Sequence, residues 1–452
     1  MTFDISQGAP RSMSVYHQLQ QRQAEGRPIR VGVIGAGATG RAIALQLGTP
    51  VPGMHLAGVA NRTPSHGERS LKEAGITGWQ TAGSPSDASA KISRGVTVLT
   101  DDPSVLTRSD AIDIIIEVTG SVDFGASVVL DAFAHRKPVV LVNAELDSLI
   151  GPILKARADE AGVVLTHTDG DEPGVAMTLV RYVQTVGLKP VAAGNIKGMV
   201  DYYRTPETQK DFAARNDQDV RKVTSFADAT KLSMETCVLA NATGFKVARR
   251  GMVGPGCGYV RELAKLLPPE AMLNGGIVDY SVGAAPHTGG FVVVHEDNPL
   301  KKTQLAYYKL GDGPFYVFYT PYHLPHLQLP STIGRAVCLN DPTVSPLGGA
   351  SCEVVTVAKR NLKAGERLDG VGGFCAYGLI DNASAARAAN ALPIALSESC
   401  VLVRDVAKDE VVSFDDVKMP APRLSDELWL EQQKRWPQQG GGERSRRVAS
   451  PA

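Results

Sequence analysis

Gly35-Ala36-Gly37-Ala38-Thr39-Gly40 comes directly after an apolar, β-branched run at 29–34 and opens a helical stretch. Three glycines at that spacing, between a strand and a helix, let backbone amides approach an anion at the positive end of the helix. The junction predicts a dinucleotide-binding fold and constrains the next hundred residues. Strand-like runs at 55–60, 96–100, 112–118, 138–143 and 163–167 alternate with helical stretches such as 147–161. Alternation of that kind gives right-handed βαβ units and a doubly wound parallel sheet, the Rossmann arrangement. A short surface helix over 13–25 leads into the first strand.

A chain of 452 residues exceeds one ordinary hydrophobic core. Three domains are expected in an α/β chain: the Rossmann domain over 1–170, an α+β catalytic and oligomerisation domain over 171–340, and a small β-rich module over 341–420. A last helix and a glycine-rich, then basic, tail expected to be disordered occupy 421–452. Lys+Arg and Asp+Glu balance at 47 each, which removes any global electrostatic reason for nucleic acid or an anionic membrane as partner. Six cysteines without a C-x-x-C pair fit reduced thiols, and neither an export signal nor a run of ~18 apolar residues is visible. The expectation is a cytoplasmic protein working on a small molecule.

Gly35, Gly37, Ala38, Thr39 and Gly40 are the candidate pyrophosphate contacts. Asn61 stands about 20 residues beyond Gly40, where an NAD-binding fold carries an acid for the ribose hydroxyls. The acid is missing, and Arg62 and Thr63 beside Asn61 offer charge and donors to a 2′-phosphate, so NADP(H) is expected over NAD. Arg62 as a solvated loop cation is the alternative. Thr119 and Gly120 after one strand, and Asn143 after the next, stand at carboxyl ends where the nicotinamide half would lie.

The run Ile115-Ile116-Glu117-Val118-Thr119-Gly120 and the run Val139-Val140-Leu141-Val142-Asn143 resemble the Rossmann domain of homoserine dehydrogenases, whose catalytic Asp and Lys on a helix are echoed by Asp228-Ala229-Thr230-Lys231. Over its whole length the chain resembles the 1-deoxy-D-xylulose 5-phosphate reductoisomerase-like (DRL) proteins. The residues that carry this are the glycine loop, Asp169-Gly170-Asp171-Glu172-Pro173-Gly174 and Gly194-Asn195-Ile196-Lys197-Gly198. Ala358-Lys359-Arg360-Asn361-Leu362-Lys363-Ala364-Gly365-Glu366 resembles SAF (β-clip) domains. The resemblance implies an NADPH-dependent homodimer that converts 1-deoxy-D-xylulose 5-phosphate to 2-C-methyl-D-erythritol 4-phosphate, a step of isoprenoid precursor synthesis. Two other readings stay open: a homoserine dehydrogenase-like enzyme acting on another small hydroxy compound or sugar acid, and a non-catalytic NADP-binding assembly protein.

Rearranging a hydroxyketone before reducing it needs a base, an acid or metal at the carbonyl, and cations for a phosphate. Asp169, Asp171 and Glu172 are candidates for the base; Asp171 and Glu172 are also candidates for holding Mg²⁺ or Mn²⁺, the alternative for all three being a turn with capping acids. Lys197, in a loop-like segment, and Lys231, on an amphipathic helix, are candidates for polarising the carbonyl, with Asp228 orienting Lys231. His287 in a glycine-rich loop can titrate near neutrality or simply serve its turn. Arg249 and Arg250 can grip a phosphate or form an exposed basic pair. His323 and His326 read as structural, and no zinc is expected.

Overall fold

The structure is a computed structural model in which residues 14–437 are described. The expected tail from Gln438 lies outside the described residues, as does Met13 at the start of the first helix, which runs Val15–Ala24. The first sheet contains β1 (Ile29–Ile34), β2 (Met54–Ala60), β3 (Gln80–Thr81), β4 (Val98–Thr100), β5 (Ile114–Glu117), β6 (Val139–Leu141) and β7 (Leu165–His167). Their order is β3-β4-β2-β1-β5-β6-β7, and every pairing is parallel. Strand order reverses at β1, which has β2 on one side and β5 on the other. The crevice beyond the carboxyl ends at that reversal is where open α/β sheets bind ligands.

The sheet has one strand more than the sequence predicts. β3 is two exposed residues pairing with β4 at the edge, too short to carry an apolar pattern. The central β5, Ile114-Ile115-Ile116-Glu117, is buried throughout, as a parallel strand covered on both faces must be.

The second sheet is mixed, in the order β11-β10-β8-β9, from β8 (Lys189–Lys197), β9 (Ile277–Val282), β10 (Gly290–His295) and β11 (Phe315–Thr320). The segment holding Gly194 to Lys197, expected as a loop, is the end of β8. Its glycine has a packing reason, since a Cβ on Gly194 would stand 1.7 Å from the Asp279 carbonyl oxygen of the neighbouring β9. One face of this sheet packs on the helices Glu172–Thr185 and Thr230–Thr243. The opposite face is covered by Val260, Leu263, Leu267 and Met272.

Helix Thr230–Thr243 departs from its expected amphipathic character. Every residue from Thr230 to Ala242 is buried, because the helix threads between helix Ala144–Ala161, helix Glu172–Thr185 and the C-terminal strands. Its charged residues therefore need partners inside the protein.

Beyond residue 350, β12 (Cys352–Ala358) and β13 (Ala376–Asn382) form an antiparallel pair, and β14 (Val401–Leu402) pairs with β15 (Val417–Lys418). Val354 and Ile380 join the core of the second sheet, while Leu402 and Val412 join that of the first. Helix Leu424–Arg435 closes on helix Ala144–Ala161 through the buried Gln432 amide, which accepts from Ile153 N at 3.1 Å and donates to Leu149 O at 3.1 Å. The six cysteines are free thiols, and no helix among the described residues is long and apolar enough to cross a membrane.

Candidate active site

Two of the loop glycines are fixed by packing. A Cβ on Gly40 would stand 2.1 Å from Gly35 O, and one on Gly35, whose φ is +113°, would stand 2.9 Å from the Val118 backbone. Gly37 is different, since no atom lies within 4 Å of where its Cβ would be. It is the N-cap of helix Ala38–Gly48 and offers no side chain to the first amides, which carry the positive end of the helix dipole. Open space over uncapped amides fits a pyrophosphate, which these residues would hold through backbone donors.

Asn61 braces this loop, accepting from Ala36 N at 3.0 Å and donating to Thr63 O at 2.9 Å. Arg62 and Thr63 are exposed beside it. Thr119 bonds to the buried Glu117 carboxylate through its hydroxyl and its backbone amide. Asn143 does not reach out to where the nicotinamide half was expected. It is fully buried as the N-cap of helix Ala144–Ala161, accepting from Leu146 N at 3.1 Å and donating to Glu117 at 2.9 Å. The residue of this segment that meets the charged groups of the catalytic domain is Glu145.

A buried cluster of charged side chains gathers beyond the carboxyl ends of β5, β6 and β7. Lys231 Nζ stands 3.5 Å from Glu145 Oε2. Lys197 Nζ bonds to Glu172 Oε2 and stands 3.5 Å from Glu235 Oε2. The Asn195 amide donates to the same two carboxylates, at 3.0 Å to Glu172 and 3.1 Å to Glu235. His167, wholly buried, bridges Asp147 (Nδ1, 3.1 Å) and Asp171 (Nε2, 2.9 Å). His323 Nδ1 lies 2.9 Å from the Thr288 hydroxyl and 3.9 Å from Glu172.

The charge states derive from the packing. Burial opposes the charge on Lys197, but Glu172 and Glu235 outweigh it and push the ammonium up to about 12. Burial likewise opposes the Lys231 charge, yet Glu145, Asp171 and Glu235 hold it above the ordinary lysine value. Burial and the neighbouring Glu172 raise Glu235 well above its ordinary value. His167 is disfavoured by burial but lifted to about 9 by its two aspartates. Burial raises Asp171, but His167 and Lys231 win and hold it below the usual range. The site presents two ammonium donors beside a pair of neighbouring carboxyl groups, in a region largely shielded from water.

Several expected residues lie elsewhere. Asp228 is fully buried but bonds to Lys359 Nζ at 2.9 Å and to Thr230 N at 2.9 Å, so it holds the C-terminal module to helix Thr230–Thr243 and does not orient Lys231. Asp169 turns to helix Leu329–Leu339, its amide donating to Thr332 at 2.9 Å and its carboxylate facing Ser331. His287 stands exposed at a left-handed turn beside Gly198, and the histidine within 4 Å of a cluster carboxylate is His323. Arg249 clamps its own loop at the carbonyls of Met252 and Val253, and Arg250 pairs with Asp381 at 2.7 Å. Both stand in the segment after helix Thr230–Thr243 that runs beside β9.

The acids also fail to form a cation cage. Asp171 is spent on His167 and Glu172 on Lys197, and no group of three or more His, Cys, Asp or Glu among the described residues is placed to hold a metal ion.

Glu145, Glu235, His323 and the Asp147–His167 pair carry no motif that marks them in the sequence as site residues, and Asn195 stands in the Gly194–Gly198 motif but not among its expected site residues. Of the unmarked residues, only Glu235 leaves a legible signal, standing four residues beyond Lys231, on the same face of an otherwise apolar helix.

Residues 170–329 match the family model described as oxidoreductase DRL, catalytic domain. That stretch contains Asp171, Glu172, Asn195, Lys197, Lys231, Glu235 and His323. No curated protein matches the chain in sequence. Among solved structures it is similar to a homoserine dehydrogenase from Thiobacillus denitrificans at 15% identity, covering 69% of this chain and 74% of that one with a TM-score of 0.41. A probable dehydrogenase from Thermotoga maritima is 14% identical, over 71% of this chain and 91% of that one, with a TM-score of 0.39. A myo-inositol dehydrogenase from Lactobacillus casei, in complex with NAD(H) and myo-inositol, is 13% identical over 72% and 89%, with a TM-score of 0.37.

Proposed function

We propose that this chain, an NAD(P)-dependent oxidoreductase with a DRL-type catalytic domain, is an NADPH-dependent reductoisomerase converting 1-deoxy-D-xylulose 5-phosphate to 2-C-methyl-D-erythritol 4-phosphate. The observation that carries the reading is the buried Lys197–Glu172–Glu235 and Lys231–Glu145 array, at the crevice where the glycine loop would deliver a nicotinamide. The choice of NADP(H) rests on the missing acid at Asn61 and the exposed Arg62 beside it. The choice of substrate rests on the DRL match over the residues of that array.

The cofactor supplies the hydride when bound; the rest is work for the side chains. Lys231 and Lys197 donate hydrogen bonds to the substrate's carbonyl and hydroxyl oxygens and fix their orientation. Glu172 takes the proton of the hydroxyl on the carbon that becomes the aldehyde as the carbon–carbon bond shifts from it to the neighbouring carbonyl carbon, and Lys197 gives a proton to that carbonyl oxygen as it becomes a hydroxyl. Lys231 then gives a proton to the aldehyde oxygen as it becomes an alkoxide, and the shared network through Glu235 returns it. The cluster's burial keeps water from competing for the donors.

A second reading, a simple dehydrogenase of a small hydroxy compound, is favoured by one observation: Arg249 is engaged by the carbonyls of its own loop and Arg250 by Asp381, and such a reaction needs no phosphate grip and no metal. NADPH consumption with 1-deoxy-D-xylulose 5-phosphate, beside aspartate semialdehyde and with and without EDTA, separates the two. Turnover of the sugar phosphate, unaffected by EDTA, is the expected result. Turnover of the semialdehyde alone would replace the reductoisomerase reading by the second one.

A further inference from the structure

One half-buried cation beside the site has no carboxylate within 4 Å among the described residues. Lys197, Lys231 and Lys359 each lie within 4 Å of an acid, whereas Lys222, on helix Val220–Ala227, is in no ion pair within that distance among the described residues. Its Nζ donates a hydrogen bond to the hydroxyl of Thr39, at 3.2 Å. Thr39 belongs to the glycine loop, two residues past the open position of Gly37. Lys222 thus crosses from the catalytic domain to the first turn of the nucleotide-binding helix.

The crossing is built into the fold. Helices Pro206–Arg215 and Val220–Ala227 form a hairpin whose connecting residue Asp217 pairs with Arg41 and with Arg69 of the Rossmann domain, at 2.6 Å each. Asp219 caps the second helix by accepting from the amides of Arg221 and Lys222, both at 3.0 Å. The hairpin is therefore pinned across helix Ala38–Gly48 with Lys222 aimed at its N-terminus. Burial depresses the Lys222 ammonium, and Glu145, Lys231, Asp171 and Asp219 act on it only at longer range. A half-buried cation whose acids stand only at longer range is well placed to meet an arriving anion.

We propose that Lys222 is the cationic clamp of the dinucleotide's pyrophosphate, so that the cofactor site is completed by the catalytic domain and not by the Rossmann domain alone. The clamp rests on the cofactor reading above and adds to it a residue outside the glycine-loop motif. Two features meet on the same anion: the uncapped amides behind Gly37 and an unpaired ammonium facing them across Thr39. With the phosphate in place, the ammonium gains the partner it lacks. The hairpin then ties cofactor binding to the position of Lys231, the second residue of the next helix, four residues after Ala227.

The test is titration of NADPH, monitored by its fluorescence, against the wild type, Lys222→Met and Lys222→Gln, with the melting temperature of each protein measured without cofactor. Losing a charge-assisted bond to a phosphate is expected to weaken NADPH by about 10- to 100-fold in both variants. Removing a half-buried charge that has no acid within 4 Å should leave the cofactor-free melting temperature unchanged or raised. Dissociation constants within about threefold of wild type would overturn the clamp, as would weakening that merely tracks a lower melting temperature. A wild type that binds neither NADPH nor NADH would overturn the cofactor reading together with the clamp.

Discussion

Lys231→Met lowers kcat by about 10²- to 10⁴-fold and leaves the NADPH dissociation constant within about threefold of wild type. The expectation comes from the placement of Lys231 at the first turn of a helix that is buried throughout, with Glu145 3.5 Å from its ammonium. The residue is charged because Glu145, Asp171 and Glu235 outweigh burial. It is the donor best held for an oxygen that gains charge as hydride arrives, and a thioether of similar length keeps the packing while removing the proton. Single-turnover kinetics with saturating cofactor separates the loss from binding. Retained turnover would move the acid role to Lys197 or Glu235.

His167→Leu destabilises the protein by about 3–5 kcal/mol, because it leaves Asp147 and Asp171 as buried carboxylates without their shared cation. Both bonds of the imidazole are short and its side chain is wholly buried, so no solvent replaces it. The sign of the pH dependence is set by the direction of the shift. The His167 pKa is raised in the folded protein to about 9, above an unfolded value of about 6.5. Its contribution is therefore complete below about 6.5 and is lost as pH rises through about 9. Chemical denaturation of the wild type should show stability falling between those limits. The variant should lose that slope and gain stability on acidification, as the two aspartates take up protons. A variant as stable as wild type at pH 6 would show that the bridge does not hold the two acids.

The parts of the fold written in local pattern were legible in the chain. The glycine loop and the run of β-branched strands carry their period and their turn chemistry within a few residues, and the parallel sheet results from them. β8 was not legible, since Gly194 and Asn195 read as turn residues until β9 is seen to need the missing Cβ. The site was legible only where a motif marked it, at Lys197, Lys231 and the acids after β7. Arg249 and Arg250 misled because the partner that occupies Arg250, Asp381, lies 131 residues downstream. Asp228 misled in the same way, its partner Lys359 standing in the C-terminal module. Glu145 and His167 entered the cluster by tertiary approach, which spacing along the chain does not encode, whereas Asn195 shares a face of β8 with Lys197 two residues on. Lys222 was hidden for a further reason: what marks it is the lack of a counter-ion, which only the folded neighbourhood reveals.

The buried Lys197, Lys231, Glu172 and Glu235 array is taken to face the reactive end of a nicotinamide cofactor held by the glycine loop, and the proposed chemistry depends on that placement. A crystal structure of the protein with NADPH bound tests it most directly. The predicted density places the pyrophosphate over the amides behind Gly37 and runs the nicotinamide past Thr119 and Gly120, with the hydride-bearing face of the ring open to Lys231 and Lys197. A nicotinamide directed away from that array, or a cofactor seated anywhere other than the glycine loop, would contradict it.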